Sequence, residues 1–281
     1  MRWMILLLLT VWPPAHADGV LFYQPLNVDA SLDQGQWQTI LDESRQAGVD
    51  TLVVQWTQHG ESDFGGADGW LLALLRRAQS DGFKLVLGVH YDPAYYQRMK
   101  EGQAAPMEWY QWLAKSLELQ RWLRSHAGLE PQGWYLPMEL DDRLFAEAAL
   151  RGVLSRQLKA FRDLLDGPLH VSVFSAGVLP PAAYAAWLDS LPVDQVWWQD
   201  GRGSGSLPAD ILEAYRSALP CHIGIVAEAF RAVSGADAQF AAVPAAPHLD
   251  TGCHPRGVFS LRYRPWGAPL LKNMGTAAAQ Q

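Results

Sequence analysis

Two glutamates stand where carboxylate chemistry would be expected. Glu139 follows the apolar run Gly133-Trp134-Tyr135-Leu136-Pro137-Met138, and Glu228 follows Ile223-Gly224-Ile225-Val226-Ala227. A carboxylate placed directly after a buried strand is costly unless it faces a polar pocket or a partner. Two such groups facing across a cleft suit glycosidic bond cleavage. One protonates the leaving oxygen, while the other attacks the anomeric carbon or steers water, and their separation sets retention or inversion. Further polar and aromatic residues stand at other strand exits: Tyr23, Gln24, Trp56, His90, Asp92, Asp200, Tyr263 and Trp266. They are the candidate substrate contacts, and the rings of Trp56 and Trp266 are candidate platforms for the apolar faces of sugars.

Positioning these groups requires a scaffold that gathers strand ends. Short β-rich runs recur at 20–24, 51–56, 84–90, 133–139, 169–174, 195–199, 222–228 and 257–263. Most are continuously apolar, as buried parallel strands are. Amphipathic helical patterns alternate with them at 33–47, 70–78, 107–126, 144–165, 180–188 and 208–219, with a short candidate at Ala236–Val243. Alternation at roughly 35 residues per unit predicts an α/β fold, a single-domain (β/α)8 TIM barrel whose active site lies at the C-terminal ends of its strands. Gly201-Arg202-Gly203-Ser204-Gly205 lacks the lysine of a phosphate-binding loop and follows the sixth strand, so it reads as a flexible loop.

The N-terminus reads separately. Met1-Arg2, an apolar run from Trp3 to Trp12 and Ala15-His16-Ala17 have the order of a secretory signal peptide. Residues 1–17 are expected to be removed, leaving 18–281 as the barrel with no membrane anchor, in the periplasm or secreted. Cys221 and Cys253 would then meet an oxidising compartment. Each precedes a strand-like run, so a disulfide at one end of the sheet is expected. The net charge is −7 from 22 Lys+Arg and 29 Asp+Glu, which argues against a nucleic-acid partner. Scattered His and two Cys supply no metal-ligand spacing, so neither a metal nor another cofactor is expected. Of 13 Trp, those in the helical patterns are assigned to packing against the barrel.

Phe22-Tyr23-Gln24-Pro25, Gln55-Trp56-Thr57, Gly133-Trp134-Tyr135-Leu136-Pro137, Gln199-Asp200-Gly201 and Glu228-Ala229-Phe230 occur in this order along the chain. Together they resemble the strand-end signatures of a bacterial glycoside-hydrolase-like barrel family, the domain of unknown function numbered 4434. Glutamates closing strands four and seven are also similar to the arrangement in clan A glycoside hydrolases. That resemblance implies Glu139 as acid/base and Glu228 as nucleophile. The residue before the first glutamate, usually Asn in clan A, is Met138 here. The function expected is an exported glycoside hydrolase acting on a poly- or oligosaccharide. The alternative is a non-catalytic saccharide-binding barrel in envelope or exopolysaccharide handling.

Overall fold

A computed structural model of the chain describes residues 19–100, 105–233, 241–249 and 252–271. The expected signal peptide, 1–17, lies outside them. Eight parallel strands close into a barrel: β1 (Gly19–Tyr23), β2 (Val49–Val54), β3 (Lys84–Gly88), β4 (Gly133–Asp141), β5 (Leu169–Phe174), β6 (Gln195–Gln199), β7 (Gly224–Glu228) and β8 (Arg256–Phe259). Each pairs with its sequence neighbours, and β8 closes on β1 through Val20–Gly257 and Phe22–Phe259. The fold is therefore a (β/α)8 barrel.

Strand side chains alternate between the barrel interior and the helix layer. Phe22, Val53, Val86, Tyr135, Trp197 and Val226 pack together inside. The outward residues pack against helices α1 (Gln34–Gln46), α2 (Trp70–Ser80), α3 (Tyr95–Lys100), α4 (Ala105–His126), α5 (Ala148–Arg162), α6 (Pro181–Asp189) and α7 (Ala209–Ala218). The α1 start shows how local chemistry fixes such ends. The Asp33 carboxylate accepts from the Gln36 amide at 2.8 Å, and the Gln36 side chain accepts from the Asp33 amide at 2.9 Å. This reciprocal cap satisfies two of the donors a helix start leaves open.

The regular alternation lapses after β7 and β8. The described part of the expected helix 236–243 is strand: Ala241–Pro244 pairs antiparallel with Phe230–Val233. Eight residues are too few to hold a helix without packing, whereas a two-strand pairing satisfies the backbone locally. β8 also ends sooner than expected, and Leu261–Tyr263 is a 3-10 turn. Cys221 and Cys253 are disulfide-bonded, with Cα atoms 5.3 Å apart. The bridge lies at the base of β7 and β8, at the opposite end of the strands from Glu228. Among the described residues no helix is long and apolar enough to cross a membrane.

Candidate active site

Side chains two positions above the inner layer enter the barrel mouth. Gln24 follows Phe22, Phe174 follows Ser172, Gln199 follows Trp197 and Glu228 follows Val226. Glu139 reaches the mouth by another route. Pro137, Met138 and Glu139 lie between Leu136 and Leu140, which pair with Val171 and Val173, where β5 has only Ser172. The two extra residues form a bulge that keeps the alternation: Leu136, Met138 and Leu140 stay on the helix side, and Glu139, four positions after Tyr135, stays on the inner side. Pro137, which has no amide hydrogen to give the ladder, fits such a place. Met138 is buried in the helix-side core and takes no place in the mouth.

A cavity of about 340 Å³ results, lined by Gln24, Glu139, Phe174, Gln199, Gly201, Ser204, Ser206, Glu228, Phe230, Phe259 and Tyr263. Both glutamates line it. Glu139 is half-buried, and its Oε1 accepts from Gln199 Nε2 at 2.6 Å. Glu228 is 7% exposed, and its Oε2 accepts from the Ser204 amide at 2.6 Å. Burial pushes the Glu228 carboxyl up to about 7; the Ser204 amide opposes this, while the charges of Asp200 and Glu139 add to it.

The glycine-bearing loop after β6 builds the wall around Glu228. A Cβ on Gly203 would sit 2.1 Å from the Phe230 carbonyl oxygen and 2.9 Å from the Glu228 Cβ. Only glycine lets the loop come this close, and it is pinned there by the Ala232 amide donating to the Gly203 carbonyl at 2.7 Å. The loop expected to be merely flexible is thus fitted against a candidate catalytic group.

Other expected contacts divide sharply. Gln24 and Tyr263 line the cavity, and Phe230 packs against Tyr263 at 5.0 Å between ring centroids. Gln24 is held by its carbonyl, which accepts from Arg262 Nε at 3.0 Å and Nη2 at 2.7 Å. Tyr23 faces the helix layer, and its hydroxyl donates to Asp29, which forms a buried ion pair with Arg262. Trp56 is buried, donates to the Pro25 carbonyl at 2.8 Å and stacks on Tyr91 at 4.8 Å. Trp266 lies against α1, donating to Ser44 Oγ at 2.9 Å. The structure brings neither tryptophan to the lining of the cavity.

His90 lines a separate groove of about 500 Å³ with Gln58, Lys115 and Trp122, and its Nδ1 lies 3.0 Å from Gln58 Oε1. Asp92 accepts from the Ala94 amide and pairs with Arg98, shaping the turn into α3. Asp200 faces outward from β6 into a smaller cavity with Arg202 and His248. Asp142 receives the amides of Ala176, Val178 and Leu179, and Asp141 those of Arg143 and Leu144. Both tie down loops at the mouth.

Site-forming residues outside the expected set are Ser204, Gly203, Phe174, Phe230 and Phe259, while Gln199 belongs to a strand-end signature but is given no role by the sequence. A parity signal was present for some: Gln199 stands two after Trp197, and Phe230 two after Glu228. Gln55, by the same parity, lies buried beneath the mouth, with Nε2 3.4 Å from the Tyr135 hydroxyl, which contacts Ser172 Oγ at 2.6 Å. Among the described residues no group of three or more His, Cys, Asp or Glu is arranged to hold a metal ion.

The chain superposes on the crystal structure of a putative alpha-L-fucosidase from Bacteroides thetaiotaomicron with a TM-score of 0.60 and 14% identity, covering 90% of each chain. A looser match, TM-score 0.46 and 10% identity, is to the Bacillus cereus spore cortex-lytic enzyme SleL, covering 80% of this chain and 54% of that one. In sequence it is 33% identical over 256 residues to the uncharacterized protein YbcH of Escherichia coli K12, covering 85% of each. The family model for the domain of unknown function DUF4434 matches residues 18–234, and the chain belongs to that family.

Proposed function

We propose that the chain is an exported glycoside hydrolase that cleaves a poly- or oligosaccharide through Glu139 and Glu228. The carrying observation is that two carboxylates line one cavity in contrasting environments. Glu228 is buried and holds its proton up to about pH 7, whereas Glu139 is half-buried and receives an amide donor from Gln199. A buried carboxyl that keeps its proton, facing the same cavity as a half-buried one that accepts a hydrogen bond, suits acid and base roles. In this reading Glu228 donates its proton to the leaving oxygen as Glu139 attacks the anomeric carbon. Water then cleaves the glycosyl ester, and Glu228 takes a proton from that water. These roles are the reverse of those implied by the clan A resemblance. Retention is the outcome this nucleophilic route would give, and what supports it is that both carboxylates line one cavity. The aromatic rings of Phe230, Phe259 and Tyr263 offer apolar faces to a sugar ring. The leader-like residues 1–17 and the disulfide support export.

The test is an aryl-glycoside and polysaccharide screen of wild type beside Glu139→Gln and Glu228→Gln. Each substitution should lower kcat/KM by about 10³-fold while the protein stays folded. The wild-type kcat/KM should fall as pH rises through about 7, when Glu228 loses its proton. A rate that rises through the same range would return the nucleophile role to Glu228. Turnover that survives both substitutions overturns the two-carboxylate reading, and saccharide binding without turnover on any substrate supports the binding barrel instead.

A further inference from the structure

Asp200 is a buried acid on the far side of the sheet from the cavity. It is 4% exposed and stands one residue beyond β6, between that strand and the glycine-bearing loop. Its Oδ1 accepts from the Glu228 amide at 3.2 Å and from the Arg202 amide at 3.2 Å. One carboxylate oxygen therefore grips the backbone of the candidate catalytic glutamate and the start of the loop whose Ser204 amide binds that glutamate's side chain. Its Oδ2 is buried with no hydrogen-bond partner. An acid left half-satisfied in this way costs stability, and such a cost is found where function keeps it.

We infer that Asp200 is a positioning residue for Glu228, fixing its backbone and its loop from behind the sheet and acting on its proton as a neighbouring negative charge. The inference rests on the proposed use of Glu228 and deepens it, since it makes the acid's proton depend on a residue no substrate would touch. The charges involved lie on both sides of the sheet. Glu228 faces Glu139 across the cavity and Asp200 behind it. Asp200 faces Arg202 on the loop and His248 on the segment after the Ala241–Pro244 strand, and Glu213 and Arg216 of α7 line the same outer cavity of about 240 Å³. Burial pushes Asp200 itself up to about 6, against the pull of the two amides and of Arg202 and His248. Above that pH its charge adds to the forces that keep Glu228 protonated.

The experiment is a carboxyl ¹³C NMR titration of the substrate-free full chain, with hydrogen exchange of the Glu228 and Arg202 amides. Asp200→Asn keeps an acceptor at Oδ1 and removes the charge. It should retain amide protection and move the Glu228 midpoint to lower pH. Asp200→Ala should also speed exchange of both amides. A purely structural role predicts that Asn restores the wild-type midpoint, and that result overturns the inference. So does unchanged amide protection in Asp200→Ala. Should the variants not fold, the wild type still decides: the Glu228 resonance should show a second inflection near pH 6 as Asp200 ionises, and a one-proton curve there overturns the inference. None of these readouts needs a substrate, so their failure leaves the hydrolase reading standing, and an absence of turnover leaves them unaffected.

Discussion

β4 and β7 both carry a glutamate at the mouth of the barrel, and the two ends are built differently. β4 bulges just before its acid, where Pro137 interrupts the ladder, and Glu139 emerges half-buried with a side-chain amide as partner. β7 runs regularly into Glu228, which is closed over by the Gly201–Gly205 loop, held by a backbone amide and backed by Asp200. Residue type and topological position are the same, yet one carboxylate is half-buried beside a side-chain amide and the other is buried against backbone donors. Burial and fixed dipoles, rather than the carboxyl group, divide the roles. If this is correct, the β7 end should be sensitive to anything that loosens its backbone, and the β4 end mainly to the loss of one polar partner.

The largest effect should come from the base of β7. The disulfide ties its start to β8 across a sequence separation of 32, while β4 has no such tie. The chain-entropy model gives about 4 kcal/mol for a loop of that length. Cys221→Ser combined with Cys253→Ser should lower the urea-unfolding free energy by that order. A loss below about 1 kcal/mol would mean that β7 is held chiefly by its packing.

Next in size is the stability cost of the buried acid. The folded-state value for Glu228, about 7, lies above its ordinary 4.5. Between these values the native chain keeps a proton that the unfolded chain has released. Its stability therefore falls as pH rises through that window, and the full cost, about 3 kcal/mol, is present above pH 7. Glu228→Gln, which still accepts from Ser204, should abolish this dependence and unfold later than wild type at pH 8 while matching it more closely at pH 5. Parallel pH profiles for the two proteins would contradict the buried setting.

Gly203→Ala probes the cradle itself. The added methyl meets the Phe230 carbonyl and the Glu228 Cβ, so the loop must move off the acid. A misplacement on the order of 1 Å can cost about 10²-fold, and kcat/KM should fall by that order with circular dichroism unchanged. Wild-type kinetics in this variant would show that the loop does not position Glu228.

How much of this could be read from the chain alone depends on which force set each feature. The barrel was legible because eight apolar runs alternate with amphipathic helices, and burial imposes that pattern. Both glutamates were visible because a charge after an apolar strand needs a reason. The side to which Tyr23, Trp56 and Asp200 point was not visible, because barrel strands are apolar on both faces and carry no alternation to read. Only the inner layer, once known, shows that Gln199 faces in and Asp200 out. The bulge in β4 left a weak trace in Pro137, but that Glu139 stands four rather than two positions beyond the inner layer depends on pairing with β5, a long-range fact. Trp266 misled for a related reason. β8 stops at Phe259, and the chain then turns away to reach Ser44 on α1. The rings that do line the cavity include three phenylalanines, which have no polar handle to mark them as functional.

The finest test separates the two ends. Gln199 donates to Glu139 at 2.6 Å, and the structure shows no corresponding bond from it to Glu228. A hydrogen bond to a charged group contributes about 1.5–3 kcal/mol, so Gln199→Ala should reduce kcat/KM by roughly tenfold or somewhat more. If it acts only through the β4 carboxylate, adding it to Glu139→Gln should cost little further, because the partner it serves is already neutral. Adding it to Gly203→Ala should cost its full factor, because that change acts at β7. A Gln199 effect that vanished in the Gly203→Ala background would mean that the two ends form one coupled unit, and the contrast between a polar β4 exit and a buried β7 exit would not survive it.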